Sequence, residues 1–192
     1  YGLAFKVDGE KYTLDEDYSG EFGEVYSPKE GIVIGYEKDA KGKFDFDKPI
    51  TEKYTIVNAK AERDSSNDVT GTKSLVLKNG ILFHDDSEAS EIKDYSSDKK
   101  YILNGITDTL KVFGMHNKLN NSVVNAYKTA VVMNENKSMI TLDNTVVNGG
   151  MKADTDSETI STVNITGNEN NFTVKGDSVI NTGDEGTAIT IT

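Results

Sequence analysis

Val131-Val132-Met133-Asn134-Glu135-Asn136-Lys137-Ser138-Met139-Ile140-Thr141-Leu142 lies over Val163-Asn164-Ile165-Thr166-Gly167-Asn168-Glu169-Asn170-Asn171-Phe172-Thr173-Val174 at a constant offset of 32 residues. Apolar positions 131, 133, 140 and 142 meet 163, 165, 172 and 174. Alternating apolar positions rich in Val, Ile and Thr are strand signals, and the polar stretch between each pair is a turn. The element that follows recurs three times: Leu119-Asn120-Asn121-Ser122-Val123-Val124-Asn125, Leu142-Asp143-Asn144-Thr145-Val146-Val147-Asn148, and Val174-Lys175-Gly176-Asp177-Ser178-Val179-Ile180-Asn181. Lys128 to Met133 is echoed by Gly186 to Ile191, and Leu77 to Phe83 is a weaker upstream relative of the recurring element.

Copies starting at 119, 142 and 174 are spaced by 23 and 32 residues. A basic period of about 22 residues, with two or three short strands and insertions confined to corners, predicts a parallel β-solenoid. The longer interval is accounted for by a polar insertion around Asp154 to Glu158. One coil cannot bury its own inward side chains, so each must lie on the next at about 4.8 Å. At the corners, Asn tolerates a left-handed backbone, and its amide can bond to the equivalent amide one coil away. Asn125, Asn148 and Asn181 are the expected ladder, with plain turn formation as the simpler alternative. A competing local reading takes Asn79-Gly80 and Asn104-Gly105 as hairpin turns of an antiparallel sandwich. It does not explain why the blocks recur in the same order.

Outward from the repeat, the 192 residues carry 32 acids against 21 bases, a net charge of −11 that repels phosphate backbones and makes nucleic acid an unsuitable partner. The longest apolar run, Ala130 to Met133, is far short of the roughly 20 residues of a spanning helix, so no membrane contact is expected. Without cysteine there are no disulfides, thiolate metal sites or thiol nucleophiles. The start at Tyr1 and the strand-like end read as an excised piece of a longer protein.

Ten of the 16 Phe and Tyr lie at or before Tyr54, whereas all 17 Asn fall from Asn58 onward. The shift divides the chain into an aromatic-rich β cap or subdomain, residues 1–57, and parallel coils, residues 58–192. In the first part, Leu3 to Val7, Asp8-Gly9 and Glu10 to Leu14 predict a hairpin with Asp-Gly in the turn. A second is expected from Gly31 to Tyr36, returning through Lys43 to Phe46. No stretch keeps helical apolar spacing, so the chain is all-β.

The run Ser178-Val179-Ile180-Asn181-Thr182-Gly183-Asp184-Glu185-Gly186-Thr187-Ala188-Ile189-Thr190-Ile191 resembles the coils of type V autotransporter passenger domains of Gram-negative bacteria. The Lys-rich, Arg-poor composition is similar to that of their large adhesins. The resemblance covers about residues 58 to 192 and rests on pattern, with no invariant motif. It implies a right-handed parallel β-helix, exported through an outer-membrane barrel and displayed at the cell surface.

Residues that could carry chemistry are few. His84-Asp85-Asp86 could pair imidazole with carboxylate, but sequence neighbours on a strand point to opposite faces, and a solvated strand end is the simpler reading. Asp154-Thr155-Asp156-Ser157-Glu158 spaces its acids as a calcium loop might, without the later Gly and distant Glu of an EF-hand. Asp15-Glu16-Asp17 reads as exposed charge. Asp45 and Asp47 share one strand face, yet acids so placed are common on solvent-facing strands. Phosphate loops, nucleophile elbows and HExxH are absent, and neither a metal nor a cofactor is expected.

The expected function is therefore binding: an adhesin segment attaching to a host or bacterial cell-surface protein or glycan through corner loops and the aromatic cap. Tyr18, Tyr26 and Tyr36 are the candidate contacts, since Tyr offers area and a hydroxyl at low entropic cost. The alternatives are a β-helix enzyme degrading polysaccharide and a structural stalk. Few aromatics remain after Tyr54 to line a sugar groove, which weighs against the enzyme.

Overall fold

The computed structural model describes residues 5–8, 11–14, 36–38, 40–41, 44–49, 55–67, 69–84, 99–150, 159–183 and 186–192. All regular structure among them is β. Two antiparallel hairpins come first, β1 (Phe5–Asp8) with β2 (Lys11–Leu14) and β3 (Tyr36–Lys38) with β4 (Phe44–Pro49). The first differs from its expected register. Asp8 pairs with Lys11, so the connecting residues are Gly9 and Glu10, one step later than Asp8-Gly9. That register sets Phe5 opposite Leu14 and Val7 opposite Tyr12, where the Asp-Gly register would set Val7 opposite Glu10. In the second hairpin, Tyr36 to Lys38 is the strand that pairs, and residues 31–35 lie outside the described set.

From β5 (Thr55–Asn58) onward the pairing changes character. A side hairpin, β6 (Lys60–Arg63) with β7 (Val69–Lys73), leads to β8 (Leu75–Lys78), which folds back as β9 (Ile81–Phe83). The chain then makes repeated circuits. One is β10 (Tyr101–Asn104), β11 (Leu110–Phe113) and β12 (Asn117–Asn120); the next is β13 (Val123–Asn125), β14 (Val131–Met133) and β15 (Met139–Asp143). A third is β16 (Val146–Gly149), β17 (Ser161–Ile165) and β18 (Asn171–Lys175), and β19 (Val179–Thr182) with β20 (Thr187–Ile191) begins a fourth. Each strand pairs in parallel with its counterpart one circuit on. The first sheet has the order β19-β16-β13-β10-β5, the second β20-β17-β14-β11-β8 with β9 antiparallel at its edge, and the third β12-β15-β18.

The register is the one written in the repeat. Val131 pairs with Val163, Ile140 with Phe172 and Leu142 with Val174, the 32-residue offset throughout. Leu119, Leu142 and Val174 are aligned, as are Val123, Val146 and Val179. The extra length of the third circuit falls between β16 and β17, the corner containing Asp154 to Glu158, which themselves lie outside the described residues.

Alternation sends one set of side chains into a single core: Leu103, Val124 and Val147 from the first sheet, Leu110, Val131, Met133 and Val163 from the second, Leu119, Ile140 and Leu142 from the third. Fully burying each such side chain contributes about 1.5–3 kcal/mol before entropy is counted. The first sheet departs from simple alternation. Ile102, Val123 and Val146, on its opposite face, are also buried, which is why its strands read as unbroken apolar pairs.

Of the upstream relative at Leu77 to Phe83, Leu77 and Lys78 pair in parallel with Val112 and Phe113, but Ile81 to Phe83 do not join the parallel ladder. Asn79 (φ 50°) and Gly80 (φ 82°) both take the left-handed values of a type I′ turn, so β9 returns antiparallel on β8. The local hairpin reading thus holds at Asn79-Gly80. At Asn104-Gly105 it fails, because the Gly105 N–H donates to Asn125 O one circuit away (3.0 Å) and the chain continues forward.

Candidate functional site

Three kinds of corner join the sheets, and two are locked by side-chain ladders. After the first sheet, five asparagines align. Asn104 Nδ2 donates to Asn58 Oδ1 (3.0 Å), Asn125 to Asn104 (2.9 Å), Asn148 to Asn125 (2.8 Å) and Asn181 to Asn148 (2.8 Å). The expected ladder is present and extends to two further residues, Asn58 and Asn104. None of the five has a positive φ, so the bonding role and the left-handed role of Asn belong to different corners. Asn121 (φ 48°) and Asn144 (φ 49°), with Gly176 (φ 59°) in the same row, take the left-handed role where the third sheet returns to the first.

That returning corner carries hydroxyls. Ser122 Oγ accepts from the Tyr101 N–H (3.1 Å), Thr145 Oγ1 from Ser122 (3.3 Å) and Ser178 Oγ from Thr145 (3.0 Å), so strand entry is satisfied from the circuit beyond. Asp108 sits left-handed (φ 46°) at the corner after the Asn ladder. Burial pushes its carboxyl above the ordinary carboxylate range, and the attraction of Lys111 and the bond to Thr107 offset this only in part.

The corners between the second and third sheets differ in being exposed, and they form the candidate site. Successive circuits contribute Met115 and His116, then Asn134 to Lys137, then Thr166, Asn168 and Glu169, all exposed. At about 4.8 Å per circuit, the ridge they make is roughly 10–15 Å long when the Asn79-Gly80 turn is included. Its backbone is held from one circuit to the next. The Met115 N–H donates to Asn79 Oδ1 (2.9 Å) and the Gly80 N–H to Asn117 Oδ1 (2.9 Å). The Gly114 N–H donates to Ser138 Oγ (3.2 Å), the Ser138 N–H to Asn170 Oδ1 (2.8 Å) and the Asn168 N–H to Asn136 Oδ1 (2.8 Å). Lys137 (φ 59°) and Glu169 (φ 58°) have the same left-handed backbone in register, and Lys137 Nζ lies 3.8 Å from Glu169 Oε2. At 72% and 73% side-chain exposure that ion pair contributes little to stability and leaves both charges open to a partner. Gly167 is required where it stands, because a Cβ there would overlap the Glu135 carbonyl.

Chemically the ridge offers amides, one ammonium, two carboxylates (Glu135 and Glu169), an imidazole and a thioether on a fixed backbone. Such a set can recognise a polar surface by hydrogen bonding. Among the described residues no group of three or more His, Asp or Glu side chains converges as a metal site would require, and no helix is long and apolar enough to cross a membrane.

The residues singled out from sequence do not meet there. Tyr18 and Tyr26 lie outside the described residues, as do Asp15 to Asp17, Asp85, Asp86 and Asp154 to Glu158. Tyr36 opens β3 opposite Pro49. Asp45 and Asp47 sit two positions apart on β4, with Asp45 in register with Glu37. His84 follows β9, half-buried, and its Nδ1 has no hydrogen-bond partner among the described residues. His116 is on the ridge. The ridge itself was signalled only as the polar turn between the two aligned halves of the 32-residue repeat.

No family model matches the chain, and neither the curated proteins nor the solved structures contain a match.

Proposed function

We propose that this chain is a surface-displayed adhesin segment of an autotransporter passenger, built as a right-handed parallel β-helix with an aromatic-rich N-terminal cap, and that it attaches to a cell-surface protein or glycan. The observation that carries the reading is the ridge from Met115 to Glu169. Its loops are exposed and polar while their backbones are fixed by bonds across circuits, so a partner meets a pre-organised surface at low ordering cost. The parallel register of successive circuits supports the β-helix, and the resemblance of Ser178 to Ile191 to passenger coils supports the surface setting.

The test is binding of the purified chain to intact host and bacterial cells, set beside two variants. One carries Met115→Ala, Lys137→Ala and Glu169→Ala on the ridge, and the other begins at Thr55. Saturable binding weakened at least tenfold by the ridge variant supports the reading, and loss confined to the shortened chain moves the contact to the cap. Absence of binding to either cell type leaves the stalk, a reading favoured by the unbroken Asn58-to-Asn181 ladder, which stiffens the chain without presenting any group to a partner.

A further inference from the structure

Left-handed backbone in this chain falls on the residue types that suit it, with two exceptions. Twelve described residues have a positive φ, and ten of them are Gly, Asn, Asp or His, the types that adopt it most readily. The other two are Lys137 (φ 59°) and Glu169 (φ 58°), which meet across adjacent circuits on the ridge. Where the third sheet returns to the first, the same conformation is given to Asn121, Asn144 and Gly176. The strained choice is thus confined to one pair of neighbouring corners.

Nothing within the fold offsets the strain. The Lys137 N–H donates to Asn168 O (2.9 Å), a bond that any residue but proline would make. The attraction between Lys137 and Glu169 is screened by the solvent around both side chains. Residues held in an unfavourable backbone without a structural return mark function. Glycine at these positions would relieve the backbone and lack only the side chain, so the side chains are what the ridge retains.

Their chemistry selects the partner. The ammonium of Lys137 donates and the carboxylate of Glu169 accepts, 3.8 Å apart, and their charges cancel. Glu135 adds a negative charge between the same corners, and the whole chain carries −11, so an acidic glycan or anionic surface gains no attraction here. A protein partner would need an aromatic or Arg anchor, and the exposed corners offer neither; Met115, 47% exposed, is their one large apolar group. A donor beside an acceptor, flanked by the amides of Asn136 and Asn168, suits a group that is donor and acceptor at once, which is a hydroxyl. With no ring on these corners for a sugar face to stack on, contact is through the hydroxyl edge.

We propose that Lys137 and Glu169 are the recognition pair of the ridge and that their ligand is the vicinal-hydroxyl edge of an uncharged cell-surface sugar. Lys137 donates to one hydroxyl oxygen, and Glu169 accepts the hydrogen of the neighbouring hydroxyl. The inference rests on the attachment reading and names its ligand.

The test separates strain from contact. Lys137→Gly and Glu169→Gly should each raise the Tm by about 2–4 °C, whereas Lys137→Ala and Glu169→Ala, which keep the left-handed strain, should leave it within about 1 °C of the parent. All four should weaken binding to the cells that hold the parent chain at least tenfold. Periodate, which cleaves vicinal diols, should abolish the parent's binding when applied to those cells, and neither sialidase treatment nor added heparin should reduce it. Glycine variants no more stable than their alanine counterparts overturn the proposal, as does cell binding that the four substitutions leave unmoved. Binding that survives periodate, or that sialidase or heparin reduces, overturns it too. In all these cases the parent still binds cells and the attachment reading stands; a parent that binds no cell ends both together.

Discussion

Asn148 Nδ2 donates to Asn125 Oδ1 across 2.8 Å, and the two residues stand directly paired in adjacent parallel strands. Asn125 is fully buried and passes its own amide hydrogen on to Asn104, which is fully buried too. A buried amide in such a row satisfies a neighbour on each side, so removing one rung strands two groups.

Asn125→Ala should therefore destabilise by about 3 kcal/mol, because Asn104 Oδ1 loses its donor and Asn148 Nδ2 its acceptor. Asn181→Ala, at the end of the row, removes one bond to a partly exposed neighbour and should cost about 1 kcal/mol. Urea unfolding of both variants decides the matter; equal costs would mean that the asparagines act only as separate turn formers.

Gly167→Ala should cost about 2 kcal/mol, since the new methyl meets the Glu135 carbonyl and the two ridge corners must part. Gly71→Ala is the control, its Cβ being 3.6 Å from the nearest atom, and should change stability by no more than about 0.5 kcal/mol. Thermal melts of the pair, read with the cell-binding assay, connect ridge geometry to attachment.

Met133→Ala opens a cavity in the middle of the shared core and should cost about 2–5 kcal/mol. Ile191→Ala removes a side chain that is 73% exposed and should cost less than about 0.5 kcal/mol. Denaturant midpoints measured with the m value test both, and an unchanged m confirms that the circuits still unfold together.

Asp108 supplies a pH dependence of unusual sign. Its folded pKa is raised above the ordinary 3.8, so the folded chain binds the proton more tightly than the unfolded one. Its contribution is therefore favourable below about 3.8 and is lost as the pH rises through the folded value. Asp108→Asn should make the protein more stable than the parent at pH 7, and the difference should vanish in acid. Melting both proteins from pH 3 to 7 checks this; a variant less stable at neutral pH would show that the Lys111 attraction outweighs burial.

Much of the architecture could be read from the one-dimensional pattern. The offset between Val131-to-Leu142 and Val163-to-Val174 is the register of two sheets at once, because alternation fixes which side chains face the core and a repeat of the alternation fixes what lies over what. Asn-Gly dipeptides were ambiguous for a physical reason. Asn79-Gly80 and Asn104-Gly105 have the same local preferences but different partners far along the chain: the Gly80 N–H donates to Asn117 Oδ1 where the chain reverses, and the Gly105 N–H to Asn125 O where it continues. The Asp8-Gly9 turn is displaced by one residue, in a register that sets Val7 opposite Tyr12 where the expected one sets it opposite Glu10. The ridge was least legible. Its structure depends on amide-to-backbone bonds between residues 32 apart, Asn136 with Asn168 and Ser138 with Asn170, and none of these residue types announces a site by itself.

The rungs of the Asn row are not equally far apart along the chain. Asn58 and Asn104 are separated by 46 residues, Asn104 and Asn125 by 21, Asn125 and Asn148 by 23, and Asn148 and Asn181 by 33. Closing a longer loop costs more chain entropy before any contact rewards it. Assembly is thus cheapest to begin between residues 101 and 149, where three strands of the first sheet meet across the shortest spans. The first strand and the last then condense onto that centre from either side, so the kinetic nucleus lies in the interior of the sequence and the slow step is the return of Thr55 to Asn58.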